Sequence, residues 1–397
     1  MALGIYISVP FCRTKCTYCN FASDVFSRAV FERYVDRVCA EIANTQQTAK
    51  EMGGQIEQEV DSIYLGGGTP TVLEDQQLQR IFDAVRPQFS VQSNAEITVE
   101  CAPGTLTPRT LNSLLGCGVN RVSLGVQSFV DGEAAAVGRL HKRATVLDDI
   151  ARLRAAGITN ISVDLIAGLP HQTAESWQES LAETIATAVP HVSVYMLEID
   201  EDSRLGRELI AGGTRYHAHF VPDDEATADF YLAACEKLEA AGISQYEISN
   251  FARAGFESRH NLKYWTRQPY LGFGVDAHSM LLSGVPGAAA VRFATADSLE
   301  QYVAGCALQK TVVFSQAAFE ENFFLGLRLN RGVDLKKIAA NFGAETVQRV
   351  CSTIAELISD GLMQRESDLI RLTARGRLLS NEVFQRFLAP EGLSTKA

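Results

Sequence analysis

The chain has little of what several protein classes require. It has no surplus of positive charge: 36 Lys and Arg against 47 Asp and Glu leave a net charge of -11. No broad positive field is therefore available to displace counterions from a nucleic acid or to hold an anionic membrane surface. It has no long, clean apolar run. The nearest approach, 271–291, contains Asp276, His278 and Pro286, which a membrane-spanning helix does not accommodate. Low-complexity tracts and solenoid-type repeats are also missing. The first ten residues carry no basic stretch and read as a strand, so no cleavable leader is expected and the chain is expected to work in the cytoplasm. Cysteine is modest and odd in number, nine in 397 residues, unlike a small secreted disulfide scaffold. Apolar residues are not in short supply. With 46% hydrophobic and 21% charged residues and a mean hydropathy of +0.00, intrinsic disorder is excluded. At roughly 150 residues per domain the length predicts two or three domains.

From residue 4 to about 198, short β-rich apolar runs alternate with helical patterns, the sign of βα units and a parallel sheet. The runs 4–9, 60–65, 96–100, 120–126, 158–165 and 191–197 predict six strands. Thr107 before Pro108, then Leu111, Leu114 and Leu115, then Gly116 and Gly118, predict one of the intervening helices. Val146, Leu147, Ile150 and Leu153 with Gly157 after them predict another. Six units are too few for an eight-stranded closure, so an α/β partial (β/α)6 barrel is expected, with its chemistry at the C-terminal ends of the strands. After residue 197 the pattern changes to a polar Gly-containing stretch (200–222), a helix through Leu238 and a Gly/aromatic region (251–287). This is expected as an added α+β region beside the barrel. From Phe319 onward, helical runs precede an alternating stretch at 361–373, as in a winged-helix-like domain. The expected domains are 1–215, 216–312 and 313–397.

Three of the cysteines, Cys12, Cys16 and Cys19, crowd into a loop directly after the first strand, with three and then two residues between them. Cysteine thiolates hold 4Fe-4S clusters, and three of them would leave one iron open for another ligand. Zinc competes for soft thiolates, but a structural zinc site takes four ligands and the next cysteine is Cys39. Three buried thiols without metal is the remaining reading, and it sits poorly with a loop that carries Arg13 and Lys15. A second motif, Gly66, Gly67, Gly68 and Thr69 before Pro70, follows the second strand. Bare glycine backbone lets a ligand approach closely. No Gly-Lys-Ser/Thr follows, so it is no phosphate loop; a plain tight turn is the alternative.

This C-x3-C-x2-C loop behind a strand resembles the radical S-adenosylmethionine (SAM) superfamily, where a glycine motif like 66–69 contacts the SAM amino group. The resemblance is to the oxygen-independent coproporphyrinogen oxidase branch, covers nearly the whole chain, and implies a 4Fe-4S cluster and SAM as cofactors. It also implies SAM contacts for Tyr6, Tyr18, Glu100, Gln127, Arg139 and Asp164, with Glu100 toward the ribose hydroxyls and Arg139 toward the methionine carboxylate. Singly, each is a surface or capping residue; together they follow the branch in order and spacing. The superfamily's chemistry is electron transfer from the reduced cluster into SAM, giving methionine and a 5'-deoxyadenosyl radical, with the protein supplying orientation and a closed cavity. It requires an electron donor for the cluster. No catalytic residue is assigned, and whether the radical is used is a separate question.

Two members of that branch compete: an enzyme that oxidatively decarboxylates coproporphyrinogen III, and a chaperone that binds heme and hands it to acceptor proteins, respiratory ones among them. The decarboxylases carry a further cysteine in a C-x-C ending, where this chain has Cys19-Asn20-Phe21. The stretch His260-Asn261-Leu262-Lys263-Tyr264-Trp265 resembles the H-N-x-x-Y-W motif of the heme chaperone HemW family. Both favour the carrier. Imidazole ligates heme iron and aromatic rings face a porphyrin, so His260, with Asn261, Tyr264 and Trp265, is the first heme candidate and His278 the second. The alternative for both histidines is structural hydrogen bonding, with Tyr264 and Trp265 packing a loop to the barrel. His217 and His219 have metal-pair spacing but no partner nearby in sequence, and read as a solvated segment. A third class, a DNA-binding regulator using its winged helix, rests on Arg365, Arg371, Arg375 and Arg377 and is opposed by the acidic balance.

Overall fold

The computed structural model describes residues 1–388; residues 389–397 of the expected third domain lie outside it. Seven parallel strands form its centre. In chain order they are β1 (Leu3–Val9), β2 (Glu59–Gly67), β3 (Ser90–Cys101), β4 (Arg121–Gln127), β5 (Asn160–Ala167), β6 (His191–Met196) and β7 (Tyr270–Gly274). They lie in the order β7-β1-β2-β3-β4-β5-β6. Antiparallel strands His278–Ser283, Ala288–Ala294 and Gln309–Phe314 continue the sheet beyond β7, and Asn250–Ala252 and Ser244–Gln245 continue it beyond β6. Among the described residues the two ends of this path do not pair, so the barrel is partial.

Strand periodicity decides what each face carries. Along β1, Leu3, Ile5, Ile7 and Val9 are wholly buried and join Tyr34, Val35, Val38 and Ile42 of the helix Ala29–Ala43 in the main core. Each such side chain stabilises by about 1.5–3 kcal/mol. The alternate positions are polar: Tyr6 lies beside Tyr64, Ser62 beside Glu96, Glu100 beside Ser123, Ser162 beside His191, and Asp164 beside Ser193. One face of the sheet is therefore clad in helices and the other lines a polar interior.

The expected helices are present. Pro108–Gly116 is capped by Thr107, whose Oγ1 accepts from the Thr110 N–H at 3.1 Å, and Arg143–Ala155 is followed by Gly157 at φ 87°. The Gly/aromatic region, however, does not stand beside the barrel: it supplies β7, which pairs with β1. Its glycines mark close backbone approach rather than a loop. A Cβ on Gly272 would fall 2.3 Å from the His278 carbonyl oxygen, and one on Gly274 would fall 2.3 Å from the Ser8 carbonyl oxygen. The polar stretch 200–222 also holds unexpected structure, a helix Arg204–Ile210 capped by Ser203 and a 3-10 turn Arg215–Phe220.

The C-terminal region has its own core of Phe323, Ile354, Leu357, Ile370 and Val383, with a hairpin Met363–Glu366 and Leu369–Leu372 where the alternation predicts one. It meets the barrel through Arg328, stacked 4.2 Å from the Trp265 ring centroid, and through the Asn330 N–H, which donates to the Tyr246 carbonyl at 3.0 Å. Each of the tail arginines has a partner within its own domain. Arg365, Arg375 and Arg377 donate to backbone carbonyls and Arg371 faces Glu366 at 3.8 Å. Among the described residues no helix is long and apolar enough to cross a membrane.

Candidate functional site

All the parallel strands end on the same side, and the loops there form a mouth. The cysteine loop leaves β1 and is tied down on three sides: Cys12 N–H donates to Asp24 O at 3.0 Å, Thr17 N–H to Val137 O at 3.1 Å, and Thr17 O accepts from Leu205 N–H at 2.8 Å. The glycine motif leaves β2 beside it, and its Gly68 and Thr69 amides donate to Val9 O and Phe11 O at 2.8 and 2.7 Å. A Cβ on Gly68 would lie 2.7 Å from Phe11 O and 3.0 Å from Cys12 Sγ, so only glycine lets the two loops meet here.

Cys12, Cys16 and Cys19 are free thiols that act electrostatically on one another. Burial, with the neighbouring thiols adding to it, pushes Cys12 and Cys19 up from the ordinary thiol range, so ionisation there calls for a cation. Among the described residues no three His, Cys, Asp or Glu side chains converge on a single ion. Three thiols in one loop suit a cubane, because a cluster offers each sulfur its own iron and leaves one iron open. Arg139 lies beside them. Its guanidinium donates to Gly125 O and, at 3.5 Å, to Cys16 Sγ, and its Nε is buried without a partner. Tyr18 packs against Val137, Ile166 and Leu169 next to this pair.

Other residues matched to SAM line the interior below the mouth. Glu100 accepts from the Gly67 N–H at 3.1 Å and from Tyr64 OH at 2.8 Å, and burial pushes its carboxyl up to about 7. A Cβ on Gly66 would fall 3.0 Å from that carboxylate. Gln127 closes β4 with φ 68°, a left-handed conformation that a non-glycine residue adopts at a cost. Asp164 differs from expectation: β5 runs on to Ala167, so Asp164 lies within the strand, where Ser123 and Ser162 hydroxyls donate to it and burial raises its pKa. Tyr6 forms a triangle of tilted rings with Tyr64 and His260, its centroid 6.0 and 6.3 Å from theirs, which are 5.5 Å apart.

The His260 motif lies at the opposite end of the strands. Its helix, Arg259–Trp265, is capped by Ser258 and pinned under β1 by Lys263, which donates to Ala2 O at 2.8 Å and pairs with Asp61 at 2.7 Å. His260 is 1% exposed, its Nδ1 is 3.1 Å from Ser62 Oγ and its Nε2 2.9 Å from Tyr264 OH. Desolvation, with help from Lys263, drives its pKa down to about 3. An imidazole with both nitrogens engaged offers no lone pair to iron, so His260 is not available as an axial ligand in this conformation. Ser62 is four residues along β2 from Gly66, or about 13 Å at ~3.3 Å per residue. Asn261 is partly exposed on that helix and Trp265 faces the C-terminal domain. His278, by contrast, is exposed beyond the C-terminal end of β7, its Nε2 3.6 Å from Asp276, whose charge raises its pKa.

The segment read as solvated has a partner after all. His171, from the loop after β5, places Nε2 3.0 Å from His217 Nδ1. No sequence signal joins residues this far apart.

Comparison with known proteins bears on the whole chain. A family model described as the Radical SAM superfamily matches residues 6–183 and one described as the HemN C-terminal domain matches 315–379. "Heme chaperone HemW" of Bacillus subtilis is 36% identical over 390 residues, 96% of this chain and 98% of that one. The protein of the same name from Escherichia coli is 31% identical, covering 98% of each. Among solved structures, the coproporphyrinogen III oxidase HemN of Escherichia coli superposes with a TM-score of 0.80 over 97% of this chain and 90% of that one, at 24% identity, a likeness of fold.

Proposed function

The chain belongs to the HemW family of heme chaperones within the radical SAM superfamily, and from that membership we propose a division of labour among its residues. Cys12, Cys16 and Cys19 hold a 4Fe-4S cluster, and SAM lies across Gly66, Gly67, Gly68 and Thr69 with Glu100, Gln127 and Arg139 around it. The unpaired Nε of Arg139 is a cationic donor suited to the carboxylate of that ligand, and the buried carboxyl of Glu100 is an acceptor suited to ribose hydroxyls. When bound, the cluster supplies electrons to the SAM sulfonium. The chain's own residues orient the ligand, exclude water and keep the thiols beside a guanidinium. Tyr18 shields the Cys16 side, and Tyr6 with Asp164 fixes the floor beneath. The protein carries heme and passes it to acceptor proteins, works in the cytoplasm, and takes electrons for its cluster from a partner.

The observation that carries the chaperone over the decarboxylase is at Phe21. Where a decarboxylase has its additional cysteine, this side chain is 63% exposed, and the neighbouring Asn20 is tied to Asp200 at 2.6 Å. Near-full-length identity with heme chaperones points the same way. A paired assay on one reconstituted sample tests it: heme is expected to bind and move to an apo-acceptor, while coproporphyrinogen III with SAM and reductant stays intact. Decarboxylated product would overturn the choice.

A further inference from the structure

A carrier must hold its cargo where an acceptor can reach it, which excludes the buried His260 and directs attention to the exposed imidazoles. His278 stands with its Nε2 facing Asp276. The other group is richer. His171, His217, His219 and Phe220 are all exposed and clustered: the His171 and His219 rings lie 4.1 and 4.0 Å from the Phe220 ring, and the His171 N–H donates to Phe220 O at 3.0 Å. Within this cluster His217 Nδ1 is held by His171 Nε2, leaving His217 Nε2 outward. One ring nitrogen fixed by a neighbour and the other free is the arrangement that orients an imidazole for a metal. His171, Tyr216 and His217 all have left-handed backbones, φ 68°, 55° and 60°, conformations kept at functional sites rather than favoured by the chain.

The surroundings suit a flat, apolar, dianionic ligand. Phe220 also walls a cavity of about 530 Å³ lined by Gln172, Thr173, Pro222, Phe230 and Ala233. Tyr216 is exposed beneath Arg204, whose guanidinium carbon is 5.6 Å from its ring and brings a cation to the cluster. The cluster also communicates with the mouth, because Arg204 donates to Lys15 O and Leu205 to Thr17 O in the cysteine loop.

Resting on the chaperone reading, we propose that His217, oriented by His171, is the axial ligand through which this chain takes heme, with Phe220 and the adjoining cavity receiving the porphyrin. A single axial imidazole is enough to hold heme iron.

The test is ferric heme titration of the full, cluster-reconstituted chain, read by the Soret band and by the electron paramagnetic resonance of the ferric heme, to which the oxidised cluster is silent. His217→Ala is expected to bind heme at least about tenfold more weakly, a loss of ~1.4 kcal/mol, and to lose the nitrogen-ligated signal. Added imidazole should restore that signal, and the cluster absorption should be unchanged, showing that the variant is folded. His171→Ala should weaken binding less, and His278→Ala not at all. Parent-like titration of His217→Ala, or loss of the signal in His278→Ala alone, would overturn the site while leaving the chaperone reading in place. Zinc uptake lost in His217→Ala with heme uptake unchanged would overturn it too. A parent protein that takes up no heme refutes the chaperone reading itself.

Discussion

The two ends of the same parallel strands solve opposite problems. At the N-terminal end, Ser62, Glu96, Ser162 and His191 are buried and the helix Arg259–Trp265 shuts the opening, so the polar groups find partners in the protein: His260 with Ser62 and Tyr264, and His191 with Ser162 at 2.7 Å and Tyr246 at 3.0 Å. Arg121, 3.9 Å from Glu96 with two nitrogens unpartnered, is one exception, and Asn160 Oδ1 at the start of β5 and Trp265 Nε1 on the closing helix are others. At the C-terminal end the loops hold thiols raised by burial, a guanidinium with a free nitrogen, and non-glycine residues in left-handed backbone. A buried polar group must be matched internally. The two ends differ in what they carry: thiols, a guanidinium and closely approached glycine at the C-terminal mouth, and imidazoles hydrogen-bonded on both nitrogens at the N-terminal end.

The largest effect that would break the comparison is at the thiols. Replacing Cys12, Cys16 or Cys19 by Ala is expected to abolish the broad iron–sulfur absorption after anaerobic reconstitution, and retention in all three variants would remove the cluster from the mouth. Gly68→Ala comes next, since its methyl group would press on the Phe11 and Val9 carbonyls at 2.7 and 2.9 Å. A several-fold fall in bound iron is expected, measured as iron per chain. At the closed end the prediction reverses. His260→Ala should leave iron content intact but lower unfolding free energy by about 2–4 kcal/mol, from the cavity and two stranded hydroxyls, measured by denaturant titration of the reconstituted chain.

The smallest effect is a pH slope. In the folded chain His260 stays neutral down to about pH 3, whereas an unfolded imidazole takes a proton near pH 6.5. The stability this side chain contributes is therefore complete above pH 6.5 and falls as pH drops toward 3, by about 1.4 kcal/mol per unit at most. His260→Phe should flatten the stability curve between pH 6.5 and 4 relative to the parent. His141, held by burial at about 4, imposes the same slope and remains in the variant, and Glu100, raised to about 7, opposes it, so the difference between the two curves is the quantity to compare.

Much of the open end was legible in sequence because its chemistry is local. Three thiols in one loop and glycines at one strand end need only short-range spacing, and short β-rich apolar runs marked six of the seven parallel strands. The seventh was hidden by its own packing: Gly272 and Gly274 read as loop punctuation although they are there to let neighbouring backbone come close. The motif at His260 carries no mark of which end of the barrel it occupies, since that depends on Lys263 reaching Ala2 and Asp61 across the fold. His171 and His217 meet only because the loop after β5 and the turn Arg215–Phe220 share the mouth. Long-range placement of this kind leaves no periodic trace.

The most direct test of a ligand-holding mouth is the electron paramagnetic resonance spectrum of the reconstituted, reduced chain with and without SAM. A 4Fe-4S signal whose g values move on adding SAM, in the parent and in His260→Gln alike, is the predicted result. A reduced chain that shows no such signal, or one whose signal ignores SAM, contradicts it.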